Sequence, residues 1–435
     1  MFFMYRLFMT PFWNRTEELA RIKRHLGRGV FGYVTGRRRV GKTALLAEAV
    51  RRFGGLYHQA VEGTPPQQLL HVAEEFREAV PIFRALVPKT WAEFFQLLSR
   101  ERLPRLMVFD EFPYWTQADP SLPSLLQKWI DHELRAQRTL LLVSGSSQSM
   151  LYAQFLHQAA PLYGRAVLRL QLEPLSYEWF CRARRYDAGD PTSFARFALV
   201  GGVPHYWQLI PAGSLINQAD ALYFASSAML AEEPSHWLRD EGVTGTLPKA
   251  MLDLVGRGVA KPSELAARVG TAHTNLSRPL ALLLELGFLQ RELPFGESPR
   301  TTKKVLYSLR DPILCFYYGV FLPFRSRWQG MSRRERDAVV QRHVAQQWER
   351  FCRQRHPGSS RYWEGNVELD LIWRRTAGRR AVVAECKWKR LTSREVQETL
   401  SALRQRFDRT TLSRALGRVE FRVFTPDDLP RLFQA

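Results

Sequence analysis

Along the first half of the chain, short unbroken apolar runs alternate with stretches whose apolar residues recur every three or four positions. Val30–Thr35 (V-F-G-Y-V-T), Gly55–Ala60, Leu106–Glu111 (L-M-V-F-D-E), Thr139–Ser147 (T-L-L-L-V-S-G-S-S) and Ala166–Leu172 read as buried strands. Ala44–Arg52, Pro66–Val80 and Thr90–Arg100 read as helices between them. Ahead of these, Phe12–Leu26 puts Leu19, Ile22 and Leu26 on one helical face, with Asn14 or Thr16 as the cap. Strand–helix alternation predicts a parallel α/β sheet whose ligand lies at the carboxyl ends of the strands.

The pattern changes after Leu247. Met251–Val255 is apolar at helical spacing, Lys261-Pro262-Ser263-Glu264-Leu265 opens a second helix that Gly270 ends, and Thr271–Leu286 forms a third with Leu280, Leu283, Leu284 and Leu286 inward. A hairpin follows, from Phe288–Leu293 and Lys303–Leu309. The combination predicts a winged helix-turn-helix. His273, Asn275 and Arg278 would then face DNA, and Arg300, Lys303 and Lys304 on the wing suit phosphates. A winged helix serving as a lid or protein contact has the same pattern. The aromatic stretch Tyr307–Tyr318 is expected to pack between domains, and the polar, basic run Gln329–Asp337 is the expected linker. Beyond it come an amphipathic helix, Val344–Arg353, and two antiparallel strands, Asn366–Arg375 and Arg380–Lys389, joined by a turn at Thr376–Arg379.

Charge changes this picture more than composition does. With 435 residues, 45% hydrophobic and 24% charged, the chain is an ordinary globular protein of two to four domains. Its 63 basic residues against 42 acidic give a net charge of +21. Residues 1–240 account for +6 of that and residues 241–435 for +15. The second half has the electrostatic footprint of a polyanion binder, although an Arg-rich proteome would raise the overall charge as well. The four cysteines, Cys181, Cys315, Cys352 and Cys386, lie far apart, which suits a reducing cytoplasm and argues against a zinc finger. The start, M-F-F-M-Y-R-L-F-M-T-P-F-W, is apolar but short, broken by Arg6 and without a small-residue cleavage site. It reads as a poor signal peptide, and translation from Met4 or Met9 is an alternative. No other stretch reaches membrane length, so a cytoplasmic protein is expected.

Gly36–Thr43 reads G-R-R-R-V-G-K-T, the G-x-x-x-x-G-K-[ST] phosphate-binding loop, between a strand and a helix. Gly36, Arg37, Arg38, Arg39, Val40, Gly41, Lys42, Thr43 and Ala44 would wrap backbone N–H groups and a helix N-terminus round the phosphates of ATP. Lys42 would reach the β- and γ-phosphates and Thr43 would hold Mg2+. The strand Leu106–Glu111 ends in two carboxylates. Strand alternation points them opposite ways, so that Asp110 meets the magnesium shell and Glu111 reaches the attacking water. Ser144, Ser146 or Ser147 is a candidate to sense the γ-phosphate or the water, a helix cap being the other reading. Arg165, in Pro161–Arg165 (P-L-Y-G-R), is a candidate finger towards a neighbour's γ-phosphate, which would make the protein a homo-oligomer; a plain surface arginine is the other reading.

A second constellation lies near the end. Asp370 on one expected strand and Glu385 and Lys387 on the next give D-x(14)-E-x-K, the pattern of restriction-endonuclease-like PD-(D/E)XK nucleases. Asp370 and Glu385 are hard oxygen donors for magnesium, and Lys387 would orient or deprotonate water. Glu349, on the preceding helix, would complete the metal site, with Gln397 a weaker candidate. The literal Pro-Asp is absent, since Leu369 precedes Asp370. A sheet of this kind either cleaves DNA or only binds it.

F-x-x-R-x-x-E-L, G-x-x-x-x-G-K-T, V-F-D-E-F-P-Y, S-G-S-S-x-S-M, P-L-Y-G-R, L-E-P-L-S and G-G-V-P-x-Y occur in that order, and the series resembles the archaeal-type P-loop ATPases related to the AAA+ and STAND proteins. The resemblance extends through Tyr307–Tyr318 and through Glu368-Leu369-Asp370 and Glu385-Cys386-Lys387-Trp388, which match the family's E-[IL]-D and E-C-K-W. It implies a five-stranded AAA+-like core at 1–172 and a helical lid at 173–240, with Gly201-Gly202-Val203-Pro204 facing the nucleotide. A winged helix at 241–310, a linker and packing segment at 311–340 and a nuclease-like α/β domain at 341–435 complete the expected organisation. Relatives often have C-G-S-S where this chain has Ser144-Gly145-Ser146-Ser147. The expected activity is magnesium-dependent ATP hydrolysis coupled to DNA binding, with cleavage as one outcome. The alternative is a STAND-like switch whose basic half docks DNA, RNA or protein without cutting.

Overall fold

The computed structural model describes residues 12–432 apart from 146, 148, 150, 152–159, 299, 301 and 376–379. The apolar start, the sensor candidate Ser146 and the turn Thr376–Arg379 lie outside the described residues. The chain divides into two compact units. The first runs to Leu175 and also takes in Val203–His205 and Asp240–Gly242; the second holds Ser176–Gly202, Tyr206–Arg239 and everything from Val243.

The first unit is built on five parallel strands: β1 (Val30–Thr35), β2 (Leu56–Gln59), β3 (Leu106–Asp110), β4 (Leu140–Ser144) and β5 (Ala166–Gln171), in the order β2-β3-β4-β1-β5. The central strands β3 and β4 are buried at every position, as unbroken apolar runs covered on both faces must be. β5, at the edge, alternates buried and exposed. On one face Trp91, Phe94, Phe109 and Trp115 make an aromatic core; on the other, Leu45, Leu46 and Ala49 of the helix Lys42–Phe53 meet Val34, Val108 and Leu142, with Leu19 and Ile22 of the helix Thr16–His25. The expected strands and helices of this half are all present, with ends shifted by a few residues.

In the second unit, helices Thr246–Gly256, Pro262–Val269 and Ser277–Glu285 pack with an antiparallel ribbon of β6 (Leu289–Glu292) and β7 (Leu306–Leu309) around Met251, Leu265, Leu280, Leu283 and Phe288. The third helix starts later than expected. Pro279 lacks an N–H and is tolerated in the first turn of a helix, so the α-helix begins at Ser277 and His273–Leu276 form a separate 3-10 turn. Within Tyr307–Tyr318, Leu314 and Tyr318 join that core while Phe316 lies against Tyr223.

The remainder is a four-stranded sheet, β8 (Ser360–Glu364), β9 (Val367–Arg374), β10 (Ala381–Cys386) and β11 (Val419–Phe424), in the order β11-β10-β9-β8. β8, β9 and β10 are antiparallel; β11 is parallel to β10 and is reached through the helix Ser393–Asp408. A 22-residue helix, Arg333–Gln354, precedes the sheet. Residues read as a linker, Gln329–Asp337, run instead into this helix. Ser332 and Glu335 form a reciprocal capping box, and the polar first turns are simply its solvated end. Among the described residues no helix is long and apolar enough to cross a membrane.

Candidate functional site

The loop between β1 and the helix Lys42–Phe53 closes through backbone conformations that few residues adopt. Gly36 sits at φ +145° and Gly41 at +105°, and a Cβ at Gly36 would fall 2.7 Å from Leu172 O. Arg39 also has positive φ, at 64°. No side chain caps the helix at Gly41, so its first N–H groups point into the loop, the arrangement that receives an anion. Lys42 is buried, and its ammonium donates to Gly36 O at 2.8 Å and Arg37 O at 3.2 Å. Thr43 and Ala44 follow half-buried in the first turn. Arg15 secures the loop from behind: its buried guanidinium donates to Val40 O at 3.2 Å, to Glu173 O at 2.8 Å and to Glu18 at 3.1 Å.

Asp110 ends β3 fully buried. Its carboxylate accepts from Tyr57 Oη at 2.9 Å, from the Ser144 hydroxyl and from the Glu111 N–H at 3.0 Å. Ser144 therefore orients a carboxylate, which differs from the expected sensing of phosphate. Ser147 meets Ser149 Oγ at 2.9 Å. Glu111 departs from strand alternation: at φ +53° it lies in the left-handed region, so the turn and not the strand pleat sets its direction. A non-glycine residue held there is strained, and such strain concentrates at functional sites.

Burial pulls the Lys42 ammonium below the ordinary lysine range. Glu111, Asp110 and Glu241 oppose that, while Arg37 adds to it. The structure thus brings Lys42, Asp110 and Glu111 into one electrostatic cluster. Arg38, on the loop, pairs with Asp240 at 2.5 Å. Arg165, the candidate finger, is engaged within its own unit: it forks onto Asp131 at 2.9–3.1 Å, donates to Pro161 O and holds the Asp131 carboxyl below its usual range.

A second polar centre forms where β9 and β10 pair. The register Ala384↔Leu371 sets Glu385 across from Asp370, and Cys386 N–H donates to Asp370 Oδ2 at 2.9 Å. Glu385 is only 4% exposed and is held by Lys387 at 2.7 Å and Arg406 at 2.6 Å. Burial and the Glu385 charge raise Asp370. Burial, then the Asp370 charge, pushes Glu349 up to about 7, against the pull of Arg353. Burial alone would lower Lys387, but its bond to Glu385 carries it above the ordinary range. All four expected residues therefore interact. Even so, among the described residues no three His, Cys, Asp or Glu side chains are grouped so as to hold one metal ion. Gln397 is exposed on the helix Ser393–Asp408, and Arg406 of the same helix is the residue that reaches the centre.

The remaining candidates are dispersed. His273 and Asn275 stand exposed on the 3-10 turn and Arg278 on the first turn of the next helix. Lys303 and Lys304 are exposed beside β7, Lys304 pairing with Glu297 at 3.4 Å, and Arg300 is exposed in the loop. The base of that loop is anchored in the C-terminal sheet: Phe295 packs with Tyr362 and Leu369, and its N–H donates to Arg361 O.

The sequence reading missed Tyr57, Asp240, Glu241, Arg353 and Arg406. Tyr57 was recoverable in principle, since pairing β2 with β3 places it beside the carboxylate strand. Asp240 and Glu241 carry no local signal, because Arg38 and Asp240 are 202 positions apart.

Residues 12–185 match a family model described as an ATPase domain predominantly from Archaea, and residues 331–399 match one described as archaeal and bacterial proteins of unknown function. The chain is 26% identical over 408 residues to an uncharacterized protein of Methanocaldococcus jannaschii, covering 89% of this chain and 90% of the other. Among solved structures it is similar to a Walker-type ATPase of Pyrococcus abyssi, with TM-score 0.53, 17% identity and coverage of 71% of this chain and 96% of that one. The ORC2 protein of Aeropyrum pernix, solved with ADPNP and ADP, gives a TM-score of 0.43 at 15% identity, covering 79% of this chain and 98% of that one.

Proposed function

We propose that this chain, whose residues 12–185 belong to the family of ATPase domains predominantly from Archaea, binds and hydrolyses ATP and couples that to a DNA-directed second half with metal-dependent nuclease chemistry. The observation that carries the reading is the cluster of buried Lys42 with Asp110 and Glu111 at the carboxyl ends of β1 and β3, beside an uncapped helix N-terminus. In this reading Lys42 exchanges its two carbonyl partners for phosphate oxygens. Asp110, fixed by Tyr57 and Ser144, and Thr43 offer hard oxygens that suit magnesium, which would neutralise developing phosphate charge. Glu111 orients the attacking water. The strained backbone at Glu111 supports that role.

For the second half, the raising of Glu349 by burial and the Asp370 charge, and of Asp370 by burial and the Glu385 charge, supports a place for a divalent cation, which would relieve it. Asp370, Glu349 and Glu385 would hold that cation, and Lys387 would manage the proton of water. The exposed Arg300, Lys303 and Lys304 and the winged-helix arrangement supply phosphate contacts. The cytoplasm, with its magnesium and ATP, is the compartment this activity needs.

A second reading rests on a specific observation. Glu385 is already paired with two cations and no three-ligand group is assembled among the described residues, which favours a nucleotide switch that binds nucleic acid without cutting it.

The test is incubation of the full chain with plasmid and branched DNA, in magnesium or manganese, with and without ATP. Lys42→Ala should abolish ATP turnover; full turnover by that variant in a clean preparation would sink the ATPase reading. Asp370→Ala should abolish cutting and leave ATP turnover intact. Binding without cutting in every metal would establish the switch.

A further inference from the structure

Two carboxylates reach the phosphate loop from a distant part of the chain. Asp240, the last residue of the helix Met229–Asp240, pairs with Arg38 in the middle of the loop at 2.5 Å. Glu241 is 3% exposed, accepts the Ser149 N–H at 2.9 Å and is one of three carboxylates acting on Lys42. With Gly242 they belong to the first unit, whereas Arg239 on one side and Val243 on the other belong to the second. The segment therefore brings two carboxylates to a loop built to receive negative charge.

The alternative is an ordinary structural contact, a helix end tied down by an arginine. Both members of the Arg38–Asp240 pair are about a third exposed, with side chains at 33% and 29%, and such a pair contributes little to stability. What sets it apart is the identity of its partners. Arg38 lies between the two glycines of the phosphate loop, and Lys42 is the residue that meets the terminal phosphates. Asp240 and a triphosphate in the loop compete for the Arg38 guanidinium, and the like charges of Glu241 and a triphosphate oppose each other.

We propose that Asp240 and Glu241 are affinity- and specificity-setting residues of the nucleotide site: Asp240 is a built-in charge competitor that a nucleoside triphosphate must displace from Arg38, and Glu241 adds fixed negative charge to the same site. The inference rests on the ATP-binding reading above. It has two consequences. Neutralising the carboxylates strengthens nucleotide binding, and more for a triphosphate than for a diphosphate, because Lys42 faces the terminal phosphates. Filling the loop also loosens the segment that leads into the helix Thr246–Gly256, so occupancy is signalled along the chain towards the DNA-directed half.

The experiment measures the affinity of the full chain for AMPPNP and for ADP by calorimetry, in wild type, Asp240→Asn, Glu241→Gln and Lys42→Ala. Glu241→Gln keeps an acceptor for the Ser149 N–H. If it fails to fold, the partly exposed Asp240→Asn carries the test. Each neutral variant should bind AMPPNP about tenfold more tightly than wild type, with a smaller gain for ADP. Amide hydrogen exchange over residues 238–246 should speed up when AMPPNP binds wild type. Unchanged or weaker AMPPNP affinity in both variants, equal gains for the two nucleotides, or slower exchange over 238–246 on binding would each overturn the competitor while leaving ATP binding intact. Failure of wild type and every variant to bind either nucleotide would overturn the ATP-binding reading, and the competitor with it.

Discussion

His343 makes the second unit acid-sensitive in a way that can be worked out from its surroundings. It lies on the helix Arg333–Gln354, is 2% exposed, and its Nε2 donates to Ala198 O at 2.8 Å, with the Phe316 ring near-perpendicular to it at 5.0 Å between centroids. Burial lowers it from 6.5 to about 4, and Arg350 works in the same direction, against the bond to Ala198. The folded pKa is depressed, so the stability this implies is present above 6.5 and is lost as pH falls towards 4. Below 6.5 the unfolded chain takes up a proton that the folded chain refuses. A gap of this size corresponds to about 3 kcal/mol in total, of which about 2 kcal/mol is lost between pH 7 and pH 5. His343→Gln keeps a donor near Ala198 but does not titrate. Urea unfolding of both proteins across that range should therefore show the variant less stable at pH 7 and the difference shrinking by about 2 kcal/mol at pH 5. Carboxylates titrate in both proteins and cancel in the comparison. Histidine NMR gives the second readout. A His343 ring that protonates near 6.5 in the folded protein, or a stability difference that stays flat with pH, would refute the reasoning.

Three further outcomes are expected. Arg15→Ala should leave Val40 O and Glu173 O without their donor and destabilise the first unit by about 2–4 kcal/mol; thermal unfolding and nucleotide affinity should fall together. Replacing Lys303 and Lys304 with serine should weaken binding to DNA of any sequence and reduce the salt slope of log K by about 2, read from binding isotherms at several salt concentrations. Arg406→Gln removes one of the two cations that hold Glu385. If Glu385 is a metal ligand, manganese affinity measured by calorimetry should rise in that variant, whereas a purely structural Glu385 would give a less stable protein with no gain.

The first unit was largely legible because its signals are local. An unbroken apolar run marks a strand covered on both faces, and the loop motif fixes its own geometry, so Val30–Thr35 and the helix after it fell where the pattern put them. The carboxylate pair was legible in kind, but alternation is no guide to its second member: it holds only to the end of a strand, and Glu111 lies one residue past it at positive φ. In the second unit, Pro279 shortened the third helix for a reason the sequence states, while Gln329–Asp337 misled because a solvated helix turn and a linker have the same composition. Arg406 and Glu241 were out of reach. Each acts on a group brought near by the tertiary fold, and nothing in their neighbours distinguishes them from the other charged residues of a strongly charged chain.

The same physical device recurs in both candidate sites. In each, a buried carboxylate that a cofactor or substrate would engage is already satisfied by groups of this chain: Asp110 by Tyr57 and Ser144, Glu385 by Lys387 and Arg406. The donors differ in kind. Tyr57 and Ser144 are neutral, so they aim Asp110 without pairing its charge. Lys387 and Arg406 are cations, so they cancel the charge of Glu385, and a metal ion must displace at least one of them to gain what a bare carboxylate would give. Aiming by neutral donors would leave the first site open to a cation; pairing with two cations would make the second conditional. A phosphate backbone is an acceptor that could draw Arg406 and Lys387 away from Glu385. On that basis the acidic centre would be completed by the nucleic acid itself, and cutting, if it occurs, should depend on DNA for metal binding as well as for substrate.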